Sequence, residues 1–280
     1  MQTMTYTAEG LGSEIKISEY LKRLGYSRAL ITKVKFGGVF LNGKNVHMRA
    51  MVMNGDKVEV YFPDEQSENI PPIDIPLDII YEDEHILAVN KPQNMPTHPS
   101  KGNSLPTLAN AVVAYLGEPF VFRAVNRLDR DTSGIVIVAK NPFAAAKLAQ
   151  SMKNGKFDKK YLARVEGILK EKEGRIDAPI ERECEGSIKR VVRPDGKRAI
   201  TDYRVVQEHS NTSSVCEIHL LTGRTHQIRV HMAYIGHPLC NDFLYGKSPL
   251  GERYQLHCHS ITLPHPVSEG LITIECKADF

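Results

Sequence analysis

Apolar residues near the start of the chain fall first on a helical period and then on an alternating one. In KISEYLKRLG, Ile17, Leu21 and Leu24 recur at i, i+4 and i+7, which predicts a short helix that Gly25 stops. Ser27 is placed to cap a second helix carrying Leu30, Ile31 and Val34. Asn42-Gly43, between extended segments, predicts a tight hairpin, and Asn54-Gly55 turns the chain into KVEVYF, where Val58 and Val60 alternate as in a half-buried strand. Residues 63–76, PDEQSENIPPIDIP, hold four prolines and no apolar period, and are expected to form a semi-rigid linker.

Beyond the linker, LDIIYED, HILAVNK, GIVIVAK, KYLARVEG, VCEIHLL and LITIECK read as strands. Three helices are expected. LPTLANAVVAYLG is one. PFAAAKLAQSMKNG is the second, with Asn141 as its cap, Pro142 in its first turn and Gly155 past its end, and THQIRVHMAYIG, ended by Gly236, is the third. Strands in succession with few helices between them favour an α+β fold with an antiparallel or mixed sheet over a doubly wound one.

Charge adds a division that periodicity does not show. Residues 1–62 carry a balance of +4, residues 63–90 one of −8, and the remainder one of +7, within an overall +3. Two basic blocks separated by an acidic strip suit two bodies facing a polyanion. At 280 residues, the chain exceeds the usual single domain of about 100–200 residues. Five cysteines without a C-x-x-C pair suggest neither a disulfide framework nor a zinc ribbon, so reduced thiols in a cytoplasmic protein are expected. No apolar run approaches the roughly 18 residues of a membrane span, and MQTMTYTAEG does not read as a signal peptide.

The stretch AVNRLDRDTSGIVIVAK (124–140) sets a polar loop, Asn126 to Gly134, before a strongly apolar strand. Loops held by a rigid strand commonly carry catalytic groups, and here two arginines and two aspartates fall within five residues. In isolation such a loop is an ordinary surface turn. Its likeness to the H-R-D loop of kinases lacks a Gly-rich loop or a D-F-G triplet, which argues against phosphoryl transfer. In LLTGRTHQIRVHMAYIGHPLCND (220–242), Arg229 projects from a helix with His226 and His231 close by. The spacings fit no H-E-x-x-H or C-x-x-C metal site, so these histidines are read as packing or hydrogen-bonding groups.

Taken together and in order, YEDEHILAVNKPQNMPTHPS, NRLDRDTSGIVIVAKN, KKYLARVEG, TGRTHQIRVHMAYIGHPLCND and QLHCHSITLPHP resemble the RluA-type pseudouridine synthase family over residues 77–280. SRALITKVKFGGVFLNGKNV followed by NGDKVEV resembles the S4 RNA-binding module, giving an S4-like domain over 1–62, a linker over 63–76 and a catalytic domain over 77–280. The resemblance implies an isomerase that converts uridine to pseudouridine in RNA without metal or cofactor. Asp129 would act on the target uridine and Arg229 would pair with that aspartate. Tyr161 would pack on the flipped base, and Arg127 would fill the space the base leaves. Asn126 stands where the family usually has His. Arg28, Lys33 and Lys35 would bind phosphates from the second helix. A monomer is expected, with no membrane partner. Its RNA would be ribosomal, from the large subunit, or alternatively transfer RNA. An idle RNA-binding assembly factor and a base-excising glycosylase are the competing functions.

Overall fold

The computed structural model describes residues 2–65, 67, 70–100, 106–117, 119–210, 212–247 and 253–280. Residues 2–62 fold around a separate core. β1 (Gln2–Thr7), β2 (Ile15–Lys16), α1 (Ile17–Arg23), α2 (Arg28–Val34), β3 (Val39–Leu41), β4 (Lys44–Asn45), β5 (Met51–Val52) and β6 (Lys57–Phe62) follow in order. A sheet of order β1-β6-β3-β4 is joined by a separate β2–β5 pair. Ile17, Leu21, Leu30, Val34, Val58 and Val60 are buried together, as their periods require. Ser27 accepts from the Leu30 N–H at 3.2 Å, capping α2. Asn42 and Gly43 both take positive φ, 51° and 78°, which suits the twist of a tight hairpin. The sequence reading missed β1: in QTMTYT only Met4 is a strongly apolar inward residue, and threonines fill the outer face.

The second body holds β7 (Ile79–Glu82), β8 (Ile86–Lys91), α3 (Leu108–Leu116), β9 (Ser133–Ala139), α4 (Pro142–Lys153), β10 (Asp158–Glu166), β11 (Glu173–Asp177), β12 (Ile180–Arg182), β13 (Arg190–Val192), β14 (Ile200–His209), β15 (Ser213–Leu220), α5 (Gln227–Tyr234), β16 (Leu256–Pro264) and β17 (Leu271–Glu275). Nine of these strands form one sheet of order β11-β14-β15-β10-β16-β9-β8-β7, with β17 also on β16, while β12 and β13 pair apart. All of its pairings are antiparallel except β9 with β16. The architecture is thus the expected α+β, mixed-sheet one. Leu105 of the first expected helix lies outside the described residues.

The parallel junction positions the site. Gly134 opens β9 with φ +109°, and a Cβ there would stand 2.3 Å from the Cys258 carbonyl oxygen. Only glycine lets the two backbones meet this closely. β10 shifts register against β16 between Lys160 and Tyr161, so an irregularity falls beside Tyr161.

Residues 63–76 form no helix or strand among those described, yet they are strapped to the second body. Phe122 N–H donates to Ser67 Oγ, Asn110 Nδ2 donates to the Pro71 carbonyl, and Ile70 is buried in the larger core. The two bodies meet at α4, whose Phe143 is buried in the N-terminal core with its ring 4.7 Å from that of Tyr26. Among the described residues no helix is long and apolar enough to cross a membrane.

Candidate active site

The polar loop before β9 is held from three directions. Asn126 is buried at its neck, donating from Nδ2 to the Ile135 carbonyl at 3.0 Å and accepting the Ile137 N–H at 2.9 Å. The Thr97 hydroxyl donates to the Leu128 carbonyl at 2.8 Å and accepts the Leu128 N–H at 3.2 Å. Lys91, 0% exposed, donates from Nζ to the carbonyls of Pro92, Met95 and Arg130. Burial lowers its pKa to about 7, against the attraction of Asp131 and Asp129. Arg130 is occupied by Asp131 through a bidentate contact. Asp129 is left on the inner lip with a side chain 39% exposed, and among the described residues its nearest cation-capable neighbour is His226 Nε2 at 3.9 Å.

The facing wall begins where β15 turns into α5. Gln227 is buried and closes that turn, accepting from the Arg224 N–H and the Thr222 hydroxyl and donating to the Ile200 carbonyl and the Thr201 hydroxyl oxygen. Two residues along the helix, Arg229 forks onto Asp242, Nε to Oδ2 at 2.7 Å and Nη2 to Oδ1 at 2.8 Å. The Tyr254 and Tyr245 rings lie 4.2 and 4.8 Å from its guanidinium carbon. Burial opposes that charge, but Asp242 and the two rings outweigh it and raise the pKa. The expected Arg229–Asp129 pair is therefore replaced by Arg229–Asp242, with side chains 5% and 0% exposed. The geometric reason is that Arg229 lies against the body's interior and Asp129 on the cleft lip.

Between the walls lies a cleft of about 590 Å³ lined by Arg127, Asp129, Lys159, Tyr161, His226 and Arg229 among others. The structure thus brings Asp129, Tyr161, Arg229 and Arg127 together. Arg127 is exposed at the rim. Tyr161 is 5% exposed and is hydrogen-bonded to the Cys258 thiol; burial, reinforced by Cys258 and Asp129, raises its phenol well above the ordinary value. Such a phenol is a poor proton acceptor near neutrality. Lys159 has a lowered pKa through burial, partly offset by Cys258 and Asp158.

Arg28, Lys33 and Lys35 sit outside this cleft, exposed on or just after α2. Lys33 is paired with Glu65, which also binds Arg123 at 3.0 Å. Burial works to raise Glu65, but the two cations hold its pKa below the usual value. Sequence reasoning missed Asp242, Tyr245, Tyr254 and Lys91. Asp242 and Lys91 stand within the quoted motifs, but nothing in their spacing tells that one backs Arg229 and the other sits under the loop. Of the two histidines, His231 is a packing group, its ring bonded to the Thr201 hydroxyl and the Ala178 carbonyl, whereas His226 faces the cleft. Among the described residues no three His, Cys, Asp or Glu side chains gather as a metal site.

A cleft between a pinned loop carrying Asp129 and a helix bearing a buried arginine matches a known class. The family profile described as RNA pseudouridylate synthase covers residues 85–234, and this chain belongs to that family of isomerases. It is 42% identical over 261 residues to the Bacillus subtilis protein named "Uncharacterized RNA pseudouridine synthase YjbO", covering 90% of this chain and 92% of that one. It is 35% identical to the Haemophilus ducreyi "Ribosomal large subunit pseudouridine synthase D", covering 99% of this chain and 91% of that one. The structure of "Human RNA Pseudouridylate Synthase Domain Containing 1" superposes with a TM-score of 0.62 at 28% identity, over 73% of this chain and 84% of that one.

Proposed function

We propose that this synthase acts on structured RNA, by preference large-subunit ribosomal RNA, with Asp129 as the group that engages the target uridine. The observation that carries the reading is the contrast at the cleft: Asp129 is held in place by its backbone, yet its carboxylate is half-exposed and, among the described residues, has no partner closer than 3.9 Å. The reaction breaks the N1–C1′ bond and forms a C5–C1′ bond; C5 gives up a proton and N1 gains one, so nothing is oxidised and no co-reactant is consumed. Asp129 serves either as nucleophile or as base toward the ribose. Tyr161 forms the floor under the base. Arg229, neutralised by Asp242, acts as the wall behind it. A paired uridine must leave its stack to enter the cleft, and Arg127 at the rim takes the vacated space, its planar guanidinium suited to stacking and phosphate contact together.

Residues 1–62 serve in this reading as an S4-like RNA-binding domain that uses Arg28, Lys33 and Lys35 for sequence-independent affinity. The protein works as a cytoplasmic monomer. The preference for large-subunit RNA is supported by the printed name of relatives such as the Haemophilus ducreyi protein. Pseudouridine mapping of total RNA from cells with and without the gene tests it. The expected result is loss of one or more large-subunit positions, restored by the parent gene and not by Asp129→Asn. Loss confined to transfer RNA would move the substrate, and an unchanged map would overturn the reading.

A further inference from the structure

We infer that His226 is a further residue of the reaction centre: an imidazole that Tyr245 orients, donating its Nε2–H toward Asp129 and setting the direction of that carboxylate. The inference rests on Asp129 being the acting group.

Three independent features lead to it. His226 occupies the N-cap position of α5 with φ +57°, yet its side chain makes no capping hydrogen bond. A non-glycine residue in the left-handed region is uncommon and costs about 1–3 kcal/mol, so it persists only where the surroundings impose it. Here the Gln227 amide, anchored on both the Thr222–Arg224 turn and β14, imposes it and turns the imidazole into the cleft.

The second feature is the ring's tether. His226 Nδ1 lies 2.8 Å from the Tyr245 hydroxyl, which accepts the Arg190 N–H at 2.9 Å. In the arrangement we infer, the phenol gives its one proton to Nδ1 while its oxygen accepts the Arg190 N–H, and burial, which pushes Tyr245 up to about 12, keeps that proton on the phenol. The ring's own proton then sits on Nε2, on the side of Asp129 Oδ2 at 3.9 Å. That gap is longer than a hydrogen bond, but catalytic hydrogen bonds in unliganded sites commonly tighten when substrate binds.

The third is the neighbourhood of charge. Asp129 and Asp242 favour a proton on His226, while Arg229 and Arg190 oppose one, and burial lowers its pKa. A neutral donor has a specific advantage over the arginine that sequence reasoning placed here. It orients the carboxylate through a single N–H and leaves the other lone pairs open to the substrate, where a forked arginine would occupy both oxygens.

The test uses full-length protein and total RNA from cells lacking the gene, labelled with 5-tritiated uridine. His226→Asn tolerates the left-handed backbone and can reach Tyr245, but is too short for Asp129; His226→Gln restores an N–H near the Nε2 position. Expected is a fall in kcat of roughly 10–100-fold for Asn with apparent KM within two-fold of the parent, and partial recovery for Gln. Nitrogen-15 spectra of the parent should show the Nε2–H tautomer for His226, and Tyr245→Phe should weaken that bias. Unchanged kcat for His226→Asn, equal losses for Asn and Gln with a raised KM, or an Nδ1–H tautomer would each overturn the inference. Asp129→Asn run alongside separates the two levels: an active Asp129→Asn enzyme defeats the active-site reading, whereas an inactive one beside an unaffected His226→Asn enzyme defeats only the role of His226.

Discussion

The two walls of the cleft each present an aspartate, and they use it in opposite ways. Asp242 is fully buried, accepts two bonds from Arg229, and also accepts the N–H groups of Leu244 and Tyr245. Asp129 is half-exposed, and its loop rather than its carboxylate is what the protein anchors. A saturated buried carboxylate holds structure, and an unsaturated one at a cleft lip is available for a substrate. The family resemblance pairs Arg229 with Asp129, whereas its forked partner in the structure is Asp242.

The largest effect that could break this contrast is on stability. Asp242→Ala leaves the Arg229 guanidinium buried without its partner, and about 3–5 kcal/mol should be lost. Asp129→Asn should change stability by no more than about 0.5 kcal/mol, as exposed substitutions do. Urea denaturation of both variants decides this, and comparable losses would dissolve the distinction between the walls. Next in size is Asn126→Ala, which strands the buried Ile137 N–H and Ile135 carbonyl and should cost about 2 kcal/mol. Activity should fall with it, because the neck of the Asp129 loop is loosened. A variant as stable as the parent would show that the amide is dispensable.

A smaller effect concerns affinity outside the cleft. Replacing Arg28, Lys33 and Lys35 together by Gln should weaken RNA binding and reduce the salt dependence of log K by about 2, given roughly 0.7 per phosphate contact. Glu65→Gln should do the reverse, strengthening binding, because Glu65 occupies Lys33 in the free protein. Filter binding at several salt concentrations reads both, and a Glu65→Gln protein with weaker binding would remove Lys33 from the RNA surface.

The last effect is alkaline and is absent near neutrality. Burial raises Tyr6 in the N-terminal body and Tyr245 in the cleft to about 12 each, and raises Tyr161 and Tyr254 as well. Their folded pKa values exceed the unfolded value near 10, so the folded state retains these protons. The associated stability is complete below about pH 10 and is lost as pH climbs toward the folded values. The share of tyrosinate absorbance due to these buried phenols, read as the difference between the parent and variants with each replaced by Phe, should rise together with unfolding in this range. A rise that precedes unfolding would show that these phenols ionise within the native state.

Much of the architecture was legible because local rules decided it. Ser27 and Asn141 cap helices where their hydroxyl and amide were expected to, and the apolar face of α2 needed only its period. β11 to β14 were not legible, since Gly174 and the solvated positions of Ile200–His209 blur their alternation. At the site, the loop and α5 were found as segments, and Asp129, Tyr161, Arg127 and Arg229 do line one cleft. Which aspartate meets Arg229 was not readable, because both stand in polar stretches and only packing separates a buried carboxylate from an exposed one. His226 was read as a packing group because its left-handed φ leaves no trace in sequence.

The most direct test of the central claim is tritium release from 5-tritiated uridine RNA by Asp129→Asn, measured beside its RNA affinity. Asn matches Asp in size but lacks its charge and nucleophilicity, so the loop and the RNA-facing surface should survive. No detectable release is expected from Asp129→Asn, with affinity within a few-fold of the parent and full release by the parent. Release by Asp129→Asn at a rate near the parent's would contradict the claim.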